Sequence, residues 1–447
     1  MSNDNKNAPS VLSNAFGWGA AYLLLISAPL LLLLLGEVPP GGGFWWDFAM
    51  ALGFGGMAIM GVQFALTARF RRAAAPFGMD ILYYFHRLVA LLGVALILAH
   101  FGVLRVLYPE ALGALDPREA SAHMSAGRLA LLLFLVLIVS SLWRKPLRLE
   151  YSTWRIMHAA LATTAFLLAV VHITGVGYYT EALQKWWLWT GYTLFWALLI
   201  VYVRVLKPWR ALRRPWKVAE VRPERGAAWT LALEPEGHAG IRHKPGQFGW
   251  LTLRSTPFRF QEHPFSFSGS AERSGRVEFT IKALGDFTRS IGDVQPGERA
   301  YLDAPFGVFS PDRHPDAPGY VFIAGGVGIA PIMGMLRTLA DRGERRPLFL
   351  IYANKDWEGV IFREELDELT ARLELCLVHV LTDPPRGWDG EHGYVDGALL
   401  ERVLPPESRD YEYFLCGPMP MTAGVRRALA ARGVLPTRIH AELFNMV

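Results

Sequence analysis

The sequence predicts a multi-domain protein: a six-helix transmembrane bundle (all-α), then an antiparallel β-barrel, then an α/β domain with a parallel sheet. Three observations predict this order. The long apolar runs lie within residues 1–207, short alternating or β-branched runs follow, and strands that alternate with helices complete the chain. With 447 residues, the chain has room for two or three domains.

Composition excludes several classes of protein. The chain is 52% hydrophobic, and its formal net charge of +5 is mild for its length. The basic residues gather in short loops between apolar runs, which indicates a lipid bilayer as partner and no nucleic acid. The two cysteines, Cys376 and Cys416, are far apart, so we expect no disulfide framework and no zinc knuckle.

Six apolar segments each approach the ~20 residues that a spanning helix needs. They run over 15–36, 47–68, 81–106, 126–143, 155–177 and 187–206. The first is longer than the apolar core of a cleaved signal peptide. We therefore predict a polar tail at 1–14 and a transmembrane domain at 15–207.

Charged loops predict the orientation. The loops after the second, fourth and sixth segments are basic, and they hold Arg69, Arg71, Arg72, Arg144, Lys145, Arg148, Arg204, Lys207, Arg210, Arg213 and Arg214. The alternate loops hold Glu37, Asp47, Glu110, Asp116 and Glu119. The positive-inside rule predicts a multi-pass protein of the plasma (inner) membrane, with the N-terminus and everything after 207 in the cytoplasm.

Four histidines occupy matched positions in these segments. His86 and His100 lie in the third segment and His158 and His172 in the fifth, each pair 14 residues apart. Fourteen residues climb about 21 Å along a helix and return to within about 40° of the same face. Both members of a pair fit within a hydrocarbon core of ~30 Å. Since both segments run outwards, His86 and His158 share the inner level.

This pattern indicates metal ligation. A lone intramembrane histidine is costly and usually functional, but it can also hydrogen-bond across a bundle. Two identically spaced pairs favour two stacked b-type haems, because imidazole suits iron and two axial histidines leave no open position. Arg87 and Arg155 either meet haem propionates or snorkel to lipid headgroups. We interpret His123, near an outer loop, as a solvated histidine.

Residues 216–312 predict the barrel, and two motifs in it suggest a flavin. The strand-like runs are WTLALEP, FGWLTL, VEFTIKAL and ERAYLDAPFG. His263-Pro264-Phe265-Ser266 could set a hydroxyl and backbone amides against a flavin ring. Gly285-Asp286-Phe287-Thr288 opens a predicted helix with Thr288 as cap, which is either a pyrophosphate site or an ordinary turn.

Residues 318–447 predict the nucleotide domain. The glycine-rich turn Ala324–Pro331 follows the apolar strand YVFI and precedes a helix, a context that favours a diphosphate. Cys416-Gly417-Pro418-Met419 follows another buried strand, where Cys416 is either a core residue or faces a nicotinamide. Lys355 and Arg363 either hold a 2′-phosphate or form a solvated basic surface.

The soluble half resembles the ferredoxin–NADP reductase superfamily. HPFSFS and GDFT look like its flavin motifs, GGVGIAP and CGPM like its nicotinamide motifs, and Glu442-Leu443-Phe444 like its closing aromatic segment. Together with the paired histidines, the chain resembles a prokaryotic-type member of the ferric reductase and NADPH oxidase family.

The resemblance implies cofactors and site residues. FAD would be bound by His263, Pro264, Phe265, Ser266, Lys282, Gly285 and Thr288. NADPH or NADH would be bound by Gly325, Gly326, Gly328, Ile329, Pro331, Cys416, Gly417, Pro418 and Met419, with Phe444 and Cys416 at the site of hydride transfer. His86 and His158 would hold the inner haem, and His100 and His172 the outer haem.

The resemblance also implies an electron path. A hydride passes from NAD(P)H to FAD, and single electrons then pass through the inner and outer haems to an acceptor outside. Molecular oxygen, giving superoxide, is the first prediction, and a ferric chelate is the alternative. A third possibility is a haem-bearing donor to a partner protein. The fused flavin and nicotinamide modules argue against it, so we expect no obligatory protein partner.

Overall fold

A computed structural model describes residues 11–34, 40–70, 78–259 and 261–442 of the chain. The chain divides into two compact units, Met1–Pro208 and Trp209–Val447. The first unit is helical, and the second holds two β-sheets with their connecting helices.

Six long helices form the first unit. They are α1 (Val11–Leu33), α2 (Phe44–Thr67), α3 (Met79–Leu107), α4 (Ala122–Leu142), α5 (Tyr151–Val176) and α6 (Leu183–Val201). A π-turn at Tyr202–Leu206 extends α6 into the short α7 (Lys207–Leu212). Local chemistry sets the ends of α5: the Glu150 carboxylate accepts from the amides of Ser152 and Thr153, and Gly177, at φ 71°, ends the helix in the left-handed conformation.

Five of these helices are long and apolar enough, among the residues described, to cross a membrane. They cover Phe44–Thr67, Ile81–Leu107, Ala122–Leu142, Tyr151–Val176 and Leu183–Leu212. The apolar stretch in the described part of α1 is shorter than those five and covers Phe16–Ser27. Large apolar side chains such as Leu92, Leu132 and Leu194 lie more than half exposed. Lipid is the solvent that suits such a surface.

The histidine-bearing helices α3 and α5 each pack along a partner. Helix α2 packs against α3, and α4 packs against α5. Glycines bring α2 and α3 close: a Cβ at Gly56 would lie 3.0 Å from the Gly93 carbonyl oxygen, and one at Gly93 would lie 2.9 Å from Ile59. The partner helices therefore fix the positions of the two helices that carry the imidazoles.

A six-stranded antiparallel barrel begins the second unit. Its strands are β1 (Trp216–Glu224), β2 (Ala228–Pro235), β3 (Phe248–Leu253), β4 (His263–Ser266), β5 (Val277–Lys282) and β6 (Arg299–Phe306), and the short helix α8 (Asp286–Arg289) follows β5. The strand order is β4-β3-β6-β1-β2-β5, and a bridge between Phe267 and Phe279 joins the two edges. Trp216, Leu231 and Phe279 are among the side chains that fill its core.

A six-stranded parallel sheet completes the chain. Its strands are β7 (Tyr320–Gly325), β8 (Leu348–Asn354), β9 (Leu375–Leu381), β10 (Glu391–His392), β11 (Glu412–Cys416) and β12 (Ile439–Glu442). Its helices are α9 (Ile329–Asp341), α10 (Arg363–Arg372), α11 (Gly397–Val403) and α12 (Met419–Ala431). Strands β7 and β11 are buried along their whole length, as expected for a sheet covered on both faces.

Strand order locates the ligand crevice of this sheet. The order is β10-β9-β8-β7-β11-β12, so the direction of winding reverses between β7 and β11. Ligands of such sheets bind at the carboxyl ends of the strands that flank this reversal. The crevice is therefore expected where Gly325 ends β7 and Cys416 ends β11.

Candidate functional site

The two histidines predicted at the outer level, His100 and His172, are held in the same way by backbone carbonyls of the partner helices. His100 Nδ1 lies 2.7 Å from the carbonyl oxygen of Ala49 on α2, and His172 Nδ1 lies 3.1 Å from that of His123 on α4. Because a carbonyl oxygen only accepts, each Nδ1 carries the proton and donates it. Each Nε2 then has a free lone pair, which is the tautomer that ligates a metal.

A glycine one helical turn after each carbonyl gives the imidazole its space. Gly53 follows Ala49 by four residues, and Gly127 follows His123 by four. A Cβ at Gly53 would lie 3.0 Å from His100 Nδ1, and one at Gly127 would lie 2.7 Å from His172 Nδ1. Glycine inside a helix costs about 1 kcal/mol relative to alanine. Clearance for the two rings accounts for both glycines, which no sequence motif marks.

Both outer histidines line one apolar cavity of about 1030 Å³ including its open mouth. Met57, Phe101 and Phe134 are among the apolar side chains of its wall. Arg128 is the charged side chain of the described wall, and it donates to the carbonyl oxygens of Leu112 and Ala114. No sequence motif marks Arg128, although it is a candidate partner for an anionic group.

The inner histidines face each other across α3 and α5. The ring centroids of His86 and His158 are 6.4 Å apart. Bonds of about 2 Å from two imidazoles to opposite sides of one metal place the ring centroids on the order of 6 Å apart. His158 Nδ1 lies 3.2 Å from the Ser141 hydroxyl, and His86 Nδ1 is buried without a hydrogen-bond partner among the described residues. The spacing of the inner pair thus fits one metal ion held between its two imidazoles.

The other charged and titratable candidates of the membrane half differ in their surroundings. Arg87 is exposed on α3, and Arg155 is half-buried on α5. Their role at haem propionates stays a prediction. The His123 ring lies 3.1 Å from the Ser121 hydroxyl, and its backbone carbonyl positions His172.

The two predicted flavin motifs meet in the barrel. The ring of His263 stacks on Phe287 of the GDFT turn at 3.8 Å and 21°, and the Phe265 ring lies nearly parallel to Phe287 at 6.1 Å. The hydroxyl of Ser266 is buried and has no hydrogen-bond partner in the described part of the chain. An unsatisfied buried hydroxyl costs about 1–3 kcal/mol, so it fits a position that a ligand atom completes.

The GDFT turn differs in detail from the prediction. Gly285 rather than Thr288 is the N-cap of α8, which has four residues. Thr288 acts from inside the helix: its hydroxyl accepts from the amides of Gly285 at 2.8 Å and Leu284 at 2.9 Å. These two amides are therefore already satisfied. Lys282 ends β5 and is half-buried.

The two predicted nicotinamide motifs pack together at the crevice of the parallel sheet. A Cβ at Gly328 would lie 2.1 Å from the Cys416 carbonyl oxygen, and one at Gly417 would lie 3.0 Å from the Gly325 amide nitrogen. The turn at Gly326 needs a φ of 54°, which glycine adopts readily. The two turns thus approach each other backbone to backbone.

The remaining nicotinamide candidates flank this contact. Ile329 and Pro331 are buried in the first turn of α9, Pro418 is the N-cap of α12, and Met419 is about half exposed. The guanidinium of Arg363 lies 4.6 Å from the Trp357 ring centroid. A cation in this position is already engaged with an aromatic face.

Of the two residues predicted at the site of hydride transfer, the structure describes Cys416 and not Phe444. Cys416 is fully buried, and burial, together with the nearby Glu442 carboxylate, raises the pKa of its thiol well above its usual range. The thiol is therefore protonated at neutral pH and is no nucleophile. Strand register places Glu442 beside Cys416. Phe444 lies outside the described residues.

Comparisons with known proteins identify both halves. Residues 52–170 match the family model described as the ferric reductase like transmembrane component, and residues 322–427 match the oxidoreductase NAD-binding domain. His86, His100 and His158 fall within the first match, and His172 lies two residues beyond it. The chain thus joins a ferric-reductase-like membrane domain to an NAD-binding reductase module, and the predicted resemblance is confirmed.

Individual relatives match the reductase part. NADH-cytochrome b5 reductase 1 of Pyricularia oryzae is 31% identical over 186 residues, which are 39% of this chain and 59% of that protein. The reductase component of propane 2-monooxygenase of Rhodococcus jostii is 30% identical over 239 residues, which are 51% of this chain and 63% of that protein. The chain therefore spans less than two thirds of the length of either relative.

One solved structure is similar to about half of the chain. It is the flavohaem-like FAD/NAD-binding domain of nitric oxide dioxygenase from Vibrio cholerae, with 26% identity and a TM-score of 0.46. The alignment covers 51% of this chain and 97% of that one.

Proposed function

We propose that this oxidoreductase carries electrons across a membrane, from cytoplasmic NAD(P)H to molecular oxygen on the outer side, with superoxide as product. The proposal rests on one observation: the rings of His86 and His158 lie 6.4 Å apart, and His100 and His172, 14 residues further along the same two helices, each donate from Nδ1 to a backbone carbonyl. The ferric-reductase-like match over residues 52–170 and the NAD-binding match over 322–427 supply the two ends of the path.

The proposed domains are a transmembrane domain at 15–207, an FAD domain at 216–312 and an NAD(P)H domain at 318–447. Six spans are proposed, with α1 as the first, because six apolar segments alternate with loops that are basic after the second, fourth and sixth of them. The basic loops that hold Arg144, Lys145 and Arg148 would face the cytoplasm of a plasma (inner) membrane.

Four residues would hold the two haems: His86 and His158 at the inner level, His100 and His172 at the outer level. When bound, the haems and the flavin supply one-electron carriage between a two-electron hydride donor and the acceptor. The chain itself sets the spacing, since 14 residues of continuous helix separate the levels by about 21 Å. Arg128 is placed to meet an anionic group at the outer cavity.

The soluble half would bind both nucleotides. His263–Ser266, Lys282, Gly285 and Thr288 would hold FAD, with the Ser266 hydroxyl as the group left to satisfy. The turn at Gly325–Gly328 and the segment Cys416–Met419 would hold NAD(P)H, with the diphosphate at the N-terminus of α9. Cys416 and Phe444 are proposed to lie beside the nicotinamide, where a protonated thiol shapes the site without reacting.

Oxygen is the first acceptor of this proposal and a ferric chelate is the alternative, since either would take single electrons at the outer end of the path. The cavity lined by His100 and His172 is the space that the proposed outer haem would occupy, so its apolar lining supports the haem proposal. The assay described next distinguishes the two acceptors.

An assay with two acceptors tests this proposal. Reconstituted protein with NADPH is expected to reduce cytochrome c in air, and superoxide dismutase is expected to abolish that reduction. Reduction of a ferric chelate without oxygen, together with dismutase-insensitive dye reduction in air, would instead assign a ferric reductase. Electron flow that appears only after a partner protein is added would overturn both.

Glycine substitutions test whether the rings of His100 and His172 need the space that Gly53 and Gly127 leave. Gly127→Ala is expected to displace the His172 ring and lower the haem content towards one per chain, because the new Cβ would lie 2.7 Å from Nδ1. Gly53→Ala should act in the same direction with a smaller effect. The pyridine haemochrome assay measures the haem-to-protein ratio.

The matched control is Gly102→Ala on α3. A Cβ there meets no atom within 4 Å in the described structure, so haem content should not change and the helix should gain up to about 1 kcal/mol. If Gly127→Ala retained two haems with wild-type properties, glycine would not be needed for clearance.

A further inference from the structure

A group of three metal-ligand side chains lies away from both nucleotide motifs, at the amino-terminal edge of the parallel sheet. Glu412 is the first residue of β11, and His440 is the second of β12. His314 follows the short turn Pro311–Arg313 that precedes β7. Glu412 and Cys416 stand at opposite ends of β11, separated by about 13 Å of extended chain. The cluster is therefore separate from the nucleotide crevice.

The three side chains converge on one point. His440 Nε2 lies 2.6 Å from Glu412 Oε2, and His314 Nδ1 lies 3.6 Å from the same oxygen. One ligand atom from each residue lies within 4.8 Å of the other two. Ligands at about 2.0–2.2 Å from a tetrahedral zinc ion lie roughly 3.5 Å from each other. Small side-chain shifts are enough to close these three atoms around one ion.

The surroundings hold the cluster in place and leave an entrance. The Glu412 side chain is 12% exposed, whereas those of His314 and His440 are 28% and 22% exposed. Arg438 approaches the other carboxylate oxygen, Oε1, at 3.9 Å, so Oε2 is the oxygen left to the histidines. The Tyr320 hydroxyl donates to the His314 carbonyl oxygen at 2.9 Å and anchors that segment.

We propose that His314, Glu412 and His440 bind a divalent transition-metal ion, zinc(II) first among them, with water in the fourth position. Two histidines and one glutamate form a known ligand set for tetrahedral zinc. Because β12 is an edge strand that pairs only with β11 in the described sheet, the ion would tie it to β11 and to the segment before β7. The site lies outside the proposed electron path.

Metal titration of the full-length protein tests this site. The protein is treated with chelator, dialysed and titrated with zinc chloride alone, and bound zinc is counted. The variants are His314→Gln and His440→Gln, and His392→Gln is the control because His392 is an exposed histidine in the same domain. Wild type and the control are expected to bind one zinc ion more per chain than either variant.

The expected loss of affinity is large. Changes outside the ligand sphere already weaken metal binding about 10–100-fold, so loss of a ligand should cost at least about 100-fold. Zinc should also raise the melting temperature of wild type and control, but not that of the variants. Equal zinc stoichiometry in all four proteins would overturn the site.

Cobalt(II) gives a test that needs no variant to fold. Wild-type protein that takes up cobalt(II) in place of zinc is expected to show the visible bands of tetrahedral coordination in the difference spectrum against the metal-free protein, which subtracts the absorption of haem and flavin. Zinc added in excess should remove those bands. The weak spectrum of the hydrated ion, unchanged by protein, would overturn the proposal.

Discussion

Replacing His100 or His172 with leucine is expected to remove one of the two haems and to stop electron delivery to the outer side. Leucine has no lone pair, and each outer imidazole is one of the two proposed axial ligands of the same iron. The haem content should fall from two to one per chain, and outward transfer should fall to background. Reduction of the flavin by NADPH should continue, because its residues lie in the soluble half.

The control for these variants is Leu98→Ala. Leu98 lies two residues before His100 on the same helix, but its side chain is 40% exposed on the outer surface of the helix. It tests whether any change in α3 disturbs the bundle. Outward electron transfer that survived His100→Leu or His172→Leu would contradict the assigned path.

Gly328→Ala is expected to damage the nucleotide crevice. The new Cβ would lie 2.1 Å from the Cys416 carbonyl oxygen and 2.6 Å from its carbonyl carbon, and a backbone neighbour cannot rotate away. Overpacking of this kind costs about 1–3 kcal/mol. The KM for NADPH should rise steeply and the α/β domain should melt earlier, as stopped-flow kinetics and thermal unfolding would show.

Gly424→Ala is the matched control for this change. Gly424 lies on α12 of the same domain, and a Cβ there would have open space around it in the described structure. This variant should bind NADPH as wild type does. If Gly328→Ala matched the control in KM and melting temperature, the close contact of the two turns would not matter for binding.

The sequence predicts the imidazole pairs, because a 14-residue spacing in an apolar helix fixes both face and depth. It does not predict which glycines, Gly53 and Gly127, leave space for the rings of His100 and His172. A glycine in an apolar helix is also expected wherever two helices pack closely, as at Gly56 and Gly93. Only the pairing of α2 with α3 and of α4 with α5 shows that Gly53 and Gly127 stand against the imidazoles.

The soluble half likewise has features that local sequence predicts and features that only the fold reveals. A glycine-rich turn directly after a buried strand is a local signal, so the contact of Gly328 with Cys416 follows from two recognisable motifs. The cluster of His314, Glu412 and His440 has no such signal, because its residues are separated by many elements along the chain. The parallel register of β11 and β12 sets His440 opposite Phe414, and Glu412, two residues before Phe414, lies on the same face of the sheet.

The visible absorption spectrum of the purified protein, before and after addition of NADPH, is the decisive test of whether the four histidines hold two haems on the electron path. We expect a Soret band from two b-type haems per chain, both of which NADPH reduces. A preparation without a Soret band would contradict it, and so would an undiminished band after His86, His100, His158 and His172 are all changed to leucine.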